Sequence, residues 1–147
     1  MSTQHVVELL GGSSIFGRHK NKSASLSLAD AITEGFPQKS LWKIKDVTGL
    51  TDRQMATTLG ISQKSISRYR ASHRGLLDPV ISDRLYRIAS AYAHAREVFE
   101  DDVAAKEWMQ APQIGLGMRI PLNLLTTEIG AKEVERLLGR IDYGEPL

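Results

Sequence analysis

The stretch TDRQMATTLGISQKSISRYRAS, residues 51–72, predicts two short helices joined by a tight turn. Thr51 can cap the first helix, and Gln54 three residues later completes a capping box. Gly60 stands where a tight turn needs a positive φ, which costs glycine least. Ser62 can then cap the second helix. Capping residues and a turn glycine at this spacing are typical of the helix-turn-helix, whose second helix enters the major groove of DNA.

The apolar residues of the same stretch fit two helices that cross closely. Met55, Ala56 and Leu59 recur at helical spacing and share one face of the first helix. Ile66 and Tyr69 form the inward face of the second helix. Because Ala56 is small, it allows the two helices to approach each other. We therefore predict that these five side chains form the core of the motif.

The outward face of the second helix carries side chains that suit DNA. Arg and Lys pair with guanine, Gln pairs with adenine, and Ser can bond to bases or phosphates. Residues 53–77 contain no Asp or Glu. The alternative is a helical hairpin with a solvated basic face, but it does not account for the caps and the turn glycine together. We predict DNA contacts from Ser62, Gln63, Lys64, Ser65, Ser67, Arg68 and Arg70, with Ser62 and Arg70 nearer the phosphates.

The composition excludes several classes of protein. The 147 residues are 41% hydrophobic and 24% charged, which is ordinary for a globular protein, and they include no cysteine. Disulfides and thiolate metal sites are therefore excluded, and a reducing compartment is compatible. No apolar run approaches the ~20 residues of a membrane span, and no secretion signal opens the chain. We expect a cytoplasmic protein that needs no cofactor.

Charge divides the chain into two halves. Residues 1–77 carry 11 Lys and Arg against 5 Asp and Glu, a net charge of +6. Residues 78–147 carry 8 against 12, a net charge of −4. A basic half suits nucleic acid, and an acidic half suits another partner. We predict a DNA-binding domain with an N-terminal extension over residues 1–77 and a second functional domain over residues 78–147.

The remaining periodicity predicts an all-α fold. A Ser-, Gly- and Lys-rich segment, residues 13–25, is expected to be a loop. Asp78-Pro79 predicts the start of a long helix, and Thr127 the start of the last one. The long helix carries an apolar seam that one short helix could not cover. We therefore expect homodimerisation through this half, the alternative being burial within one chain; the seam comprises Ile81, Leu85, Ile88, Tyr92, Ala95 and Phe99.

Signals for catalysis or cofactor binding are weak. Residues 100–102 are three consecutive carboxylates, but no ligand pattern surrounds them, so helix capping is the better interpretation. Residues 115–117 form only a G-x-G, which is insufficient for a dinucleotide site. The four histidines are scattered, and no metalloprotease, nucleophile-elbow or P-loop motif occurs. We therefore expect that the protein is not an enzyme. We expect a regulator that binds another protein, the alternative being a transcription factor that senses a small molecule.

Three segments resemble one known family. SDRLYRIASAYAHAREVFED (82–101), AAKEWMQAP (104–112) and GLGMRIPLNLLTTEIGAKEVERLLGRIDYG (115–144) are similar to the Xre/MbcA/ParS antitoxins. The family commonly has Gly-Gly-Arg-Thr-Pro where this chain has GMRIP at residues 117–121. The resemblance implies an Xre-like DNA-binding domain followed by a toxin-binding domain. It also implies a partner encoded alongside, a RES-type toxin that consumes NAD.

We expect the toxin contacts to lie near the end of the chain, within the region that the resemblance assigns to toxin binding. Arginines are expected to hold acidic residues of the toxin, and Tyr143 to pack at the mouth of its NAD pocket. Glu145 and the terminal carboxylate of Leu147 are expected to imitate phosphates there, the alternative being a frayed tail. The predicted toxin-binding residues are Arg119, Arg136, Arg140, Tyr143, Glu145 and Leu147.

Overall fold

The computed structural model describes residues 3–12, 23–72 and 74–144, and over these ranges the regular secondary structure is helical. The all-α prediction is therefore confirmed. A 3₁₀ turn, Ile114–Leu116, lies between α7 and α8. The α-helices are α1 Thr3–Leu10, α2 Ala24–Glu34, α3 Gln38–Thr48, α4 Asp52–Leu59, α5 Gln63–Ser72, α6 Pro79–Phe99, α7 Asp102–Met109, α8 Pro121–Leu124 and α9 Glu128–Asp142.

Helices α6 and α7 are capped by the residues that the sequence indicates. The Asp78 side chain accepts from the backbone N–H of Val80, and Pro79 occupies the first helical turn of α6. Glu100 ends that helix in the left-handed region, and Asp101 caps α7. The capping interpretation of residues 100–102 is therefore confirmed for these two carboxylates. Asp102 completes the cluster through ion pairs with Arg96 at 3.3 Å and with Lys106 at 3.0 Å.

One predicted loop is shorter than expected. Ser23 caps α2 by accepting from the backbone N–H of Leu26, and Ala24 begins the helix. The assignment of Ala24 and Ser25 to a loop was therefore wrong, because Ser23 caps a helix that already begins at Ala24. Residues 13–22 lie outside the described residues.

The long helix α6 forms the centre of the fold. Leu85, Ile88, Tyr92 and Ala95 are fully buried along its length. They pack against α1, α2, α3 and α4 from the basic half and against α7 and α9 from the acidic half. Each large apolar side chain removed from water in this way contributes about 1.5–3 kcal/mol. A single core therefore joins the two halves of the chain.

This burial bears on the expected self-association. The apolar seam of α6 was predicted to be too long for one short helix to cover, and several helices from both halves cover it together. For this seam the structure shows the stated alternative, burial within one chain. Ala89, Ala91 and Ala93 are also buried, and such small side chains let the neighbouring helices approach closely. The seam is therefore not available to a second copy, and a homodimer would have to use another surface.

Burial has a chemical consequence at Tyr92. Removing the phenol from water raises the pKa of Tyr92 to about 12, and the nearby Gln110 side chain opposes this shift. Desolvation penalises the charged phenolate, so the neutral hydroxyl is the form present at physiological pH. Tyr92 thus belongs to the core and not to a reactive site.

The link between α7 and α9 is folded more tightly than its composition suggests. Gln113 and Arg119 pair in antiparallel fashion, with the Gln113 N–H donating to the Arg119 carbonyl at 3.1 Å. Within this turn Met118 has a φ of 64° and a side chain that is 61% exposed. A non-glycine residue in this region costs roughly 1–2 kcal/mol. The chain therefore holds an exposed apolar side chain where glycine would be unstrained.

Within the described residues, no helix combines the length and apolar character that crossing a membrane requires.

Candidate functional site

The helix-turn-helix predicted at residues 51–72 is present as α4, a turn and α5. Thr51 and Gln54 form the complete capping box, with the Gln54 side chain accepting from the Thr51 N–H at 2.9 Å. Gly60 has a φ of 69°, and the Ile61 N–H donates to the Ala56 carbonyl at 3.0 Å. These bonds fix the turn that sets the second helix against the first.

The second helix, α5, is docked by a small apolar face. Ile66 is fully buried and Tyr69 is half-buried, as the spacing predicted. Gln63, Lys64 and Ser67 are exposed on the outer side of the helix. The fold thus presents the polar side chains of α5 to solvent, as an approach to DNA requires.

Arg68 and Ser65 have different surroundings on this helix. Arg68 is exposed, and its guanidinium carbon lies 5.8 Å from the centre of the Tyr69 ring. Ser65 is half-buried, and its N–H donates to the Ser62 hydroxyl oxygen at 3.1 Å. The two serines therefore build the start of α5, and their predicted role in DNA contact remains a prediction.

Arg70 is held by the two helices that precede α5. Its Nη2 atom lies 3.0 Å from both carboxylate oxygens of Asp52 on α4. Its guanidinium carbon also lies 5.0 Å from the ring centre of Trp42 on α3. The Lys45 ammonium lies 3.5 Å from the same Asp52 carboxylate. The sequence did not indicate this cluster, because its members are separated along the chain and no local spacing joins them.

A second unpredicted residue supports the turn from α6. Arg84 donates from Nη1 to the Leu59 carbonyl at 2.9 Å and so satisfies a carbonyl at the end of α4. The same Nη1 atom would lie 2.6 Å from a β-carbon on Gly60. The Gln54 side chain also donates to the Gln110 side chain at 3.1 Å. The central helix and the end of α7 therefore help to fix the DNA-binding motif.

The last helix, α9, presents a second candidate surface. Its inner face buries Val134, Leu137 and Leu138. Its outer face exposes Ile129 and Tyr143, which are 77% and 83% exposed, at its two ends. Tyrosine and arginine side chains are enriched at protein interfaces, and this helix exposes Tyr143 and Arg136 near its end.

The predicted toxin-binding arginines lie on or beside this outer face. Arg136 is exposed and pairs with Glu133 one turn earlier, while Arg140 is half-buried. Arg119 is exposed on the turn after the 3₁₀ segment, and this turn packs on α9 through the contact between Gly115 and Leu137.

The structure thus brings Arg136, Arg140 and Tyr143 to one side of α9, at spacings of four and three residues. Ile114 and Met118, on the same turn as Arg119, are 76% and 61% exposed, and the sequence did not indicate them. Glu145 and Leu147 lie outside the described residues.

One charged residue of α9 faces inward. Glu135 accepts from the Ser90 hydroxyl at 3.1 Å and pairs with His94. It lies on the side of α9 that packs against α6. A catalytic triad would place the imidazole between hydroxyl and carboxylate. Here the carboxylate bridges the other two groups, so the cluster joins helices.

Comparison with known proteins finds a family match in each half of the chain. Residues 27–90 match the family described as the antitoxin Xre-like helix-turn-helix domain. Residues 94–144 match the antitoxin Xre/MbcA/ParS C-terminal toxin-binding domain. The first match contains the helix-turn-helix, and the second contains α9 and the turn before it.

Whole-chain relatives carry the same description. The antitoxin Xre of Yersinia enterocolitica is 35% identical over 118 residues, which cover 80% of this chain and 79% of that protein. The antitoxin Xre of Photorhabdus laumondii is 34% identical over 114 residues, which cover 77% and 76% of the two chains. Similarity at this level and over this length identifies the family, and the chain belongs to the Xre/MbcA/ParS antitoxins.

Proposed function

We propose that this antitoxin binds and inhibits a RES-type toxin that degrades NAD, and that it represses its own operon by binding operator DNA. The protein is not itself an enzyme in this proposal. The observation that carries the proposal is the separation of two exposed surfaces on one core. The outer side of α5 is polar and basic, whereas the outer side of α9 combines exposed apolar side chains with ion pairs between neighbouring turns. One chain can therefore engage nucleic acid and a protein through different elements.

The character of the α9 surface favours a protein partner. Exposed Ile129 and Tyr143 can supply apolar anchors, and Arg136 can pair with a carboxylate on the partner. Arg119 adds a second exposed guanidinium group on the turn that packs beside α9. A toxin surface with acidic residues around an apolar centre would complement this arrangement.

The alternative, a stand-alone regulator whose C-terminal domain senses a small molecule, has less support. A cleft of ≈ 560 Å³ between α1 and α6 is lined largely by charged residues, including His5, Glu8, Glu97 and Asp101. Small-molecule sites are mostly apolar with a few polar groups. Co-purification of the chain with the product of a neighbouring gene would distinguish a protein partner from a small-molecule ligand.

The α9 surface can be tested by reversing one charge. We expect Arg136→Glu to weaken toxin binding about 10- to 100-fold, because it places a carboxylate against acidic residues of the partner. Operator binding should stay unchanged, since α5 is a different element. The measurement is toxin affinity by calorimetry, with Lys43→Glu on α3 as a control for the same change in charge. Equal toxin affinity for the wild type and Arg136→Glu would remove Arg136 from the proposed interface.

The proposal extends to the residues after Gly144. Glu145, two residues before Leu147, would place its carboxylate against the cationic groups with which the toxin holds the diphosphate of NAD. A chain that ends at Tyr143 is expected to bind the toxin but to leave its NAD turnover active. Toxin binding and NAD turnover have to be measured separately on this shortened chain. Binding together with full inhibition would assign inhibition to α9 alone.

Repression of the operon implies a dimer, because repressors with this motif commonly bind two half-sites. The α6 seam is buried within one chain, so we propose that the dimer contact uses other surfaces. An operator with two half-sites related by a two-fold axis would agree with this arrangement.

A further inference from the structure

The environment of Asp52 differs from that of the rest of the DNA-binding motif. It is the first residue of α4, and its carboxylate is the last one before a run of residues, 53–77, that contains no Asp or Glu. A carboxylate in the first turn of a helix is favourable for that helix. In a helix-turn-helix, however, the first helix crosses the DNA backbone, where a negative charge is repelled by phosphates.

Two cations surround this carboxylate from other helices. Arg70 reaches it from the last turn of α5 with Nη2 at 3.0 Å from both oxygens, and Lys45 reaches it from α3 at 3.5 Å. The Asp52 side chain is 32% exposed and the Arg70 side chain 55% exposed. The pair therefore lies at the surface, where the negative charge of the Asp52 carboxylate can act on a bound ligand.

The Arg70 guanidinium is also fixed on its flat face. Its carbon lies 5.0 Å from the Trp42 ring centre, so the side chain is stacked and paired at the same time. Arginine suits this double role because its planar group can stack while its N–H groups donate. Arg68, two residues earlier, bonds only weakly to Ser65 at 3.4 Å and lies above its own neighbour Tyr69.

We infer that Arg70 is a positioning residue that acts through Asp52. It neutralises this carboxylate and fixes the end of α5 on α3 and α4, and it does not itself bind a phosphate. The inference rests on the proposed binding of operator DNA. It separates Arg70 from Lys64 and Arg68, which remain the candidates for direct contact.

A charge-matched double variant tests this inference. Operator affinity is measured for the wild type, Arg70→Ala, Asp52→Asn and Asp52→Asn/Arg70→Ala at several salt concentrations. We expect Arg70→Ala to weaken operator binding about tenfold, because the exposed carboxylate then repels the DNA backbone. The double variant has the net charge of the wild type. Its affinity should return to within about threefold of the wild-type value, with an unchanged salt slope.

A direct phosphate contact would give a different result. The double variant would stay as weak as Arg70→Ala, and its salt slope would fall by about 0.9, the value for one lost phosphate contact. That outcome overturns the inference. Thermal unfolding and toxin binding of each variant show whether its fold is intact. If Arg70→Ala proves to be unfolded, the comparison of the double variant with the wild type still decides between the two outcomes. A wild-type chain that does not bind the operator would overturn the proposed function instead.

Discussion

Replacing Gly130 by alanine is expected to destabilise the protein by about 3 kcal/mol or more. A β-carbon at this position would lie 2.0 Å from the Leu124 carbonyl oxygen and 2.9 Å from its carbon. These are backbone atoms of the last residue of α8, so no side-chain rotation relieves the overlap. The Gly130 N–H also donates to the Thr127 hydroxyl at 3.0 Å, and this cap would be lost if the helix moved away. Chemical denaturation measures the free energy of unfolding.

Gly139 provides a matched control on the same helix. A β-carbon there would meet nothing within 4 Å, so Gly139→Ala should be neutral or stabilise the protein by up to about 1 kcal/mol through helix propensity. We also expect Gly130→Ala to weaken toxin binding, because the start of α9 would be displaced. Wild-type stability in Gly130→Ala would show that α8 and α9 pack less closely than the structure indicates.

The double variant Lys64→Ala/Arg68→Ala is expected to lose operator affinity by about 30-fold to 10⁴-fold. Each side chain that reads a base contributes roughly 1–3 kcal/mol, and the two contacts are removed together. Both side chains are exposed, so their truncation should leave the fold intact. The affinity for the operator and for an unrelated duplex should be measured at one salt concentration, because base-reading contacts affect their ratio.

The reciprocal control removes the same number of charges from the other surface. Lys132→Ala/Arg136→Ala on α9 should leave operator affinity unchanged and weaken toxin binding. Operator affinity retained by Lys64→Ala/Arg68→Ala would mean that the helix-turn-helix folds without serving as the DNA contact.

Local signals in the sequence were sufficient to predict the helix-turn-helix. The capping box of Thr51 and Gln54, the turn glycine Gly60 and the cap at Ser62 each act within a few residues, and all are present in the structure. The starts of α6 and α9 at Asp78 and Thr127 follow from the same local chemistry. Features of this kind are encoded by neighbours along the chain, so one sequence is enough to predict them.

The features that the sequence did not predict depend on tertiary packing. The Arg70–Asp52 pair and the bond from Arg84 to the Leu59 carbonyl each join separate helices. Periodicity identified the apolar seam of α6 but could not show which helices cover it. The backbone conformation of Met118 could not be predicted either, because no neighbouring residue indicates a positive φ at this methionine.

The most direct test of the proposed function is the NAD turnover of the RES-type toxin encoded beside this chain, measured as the purified full-length chain is added. We expect turnover to fall progressively and to reach background once the chain is in excess, because α9 docks on the toxin and the residues after Gly144 close its NAD pocket. Turnover that remains at its starting rate in the presence of excess folded chain would contradict the assignment of this protein as the inhibitor of that toxin.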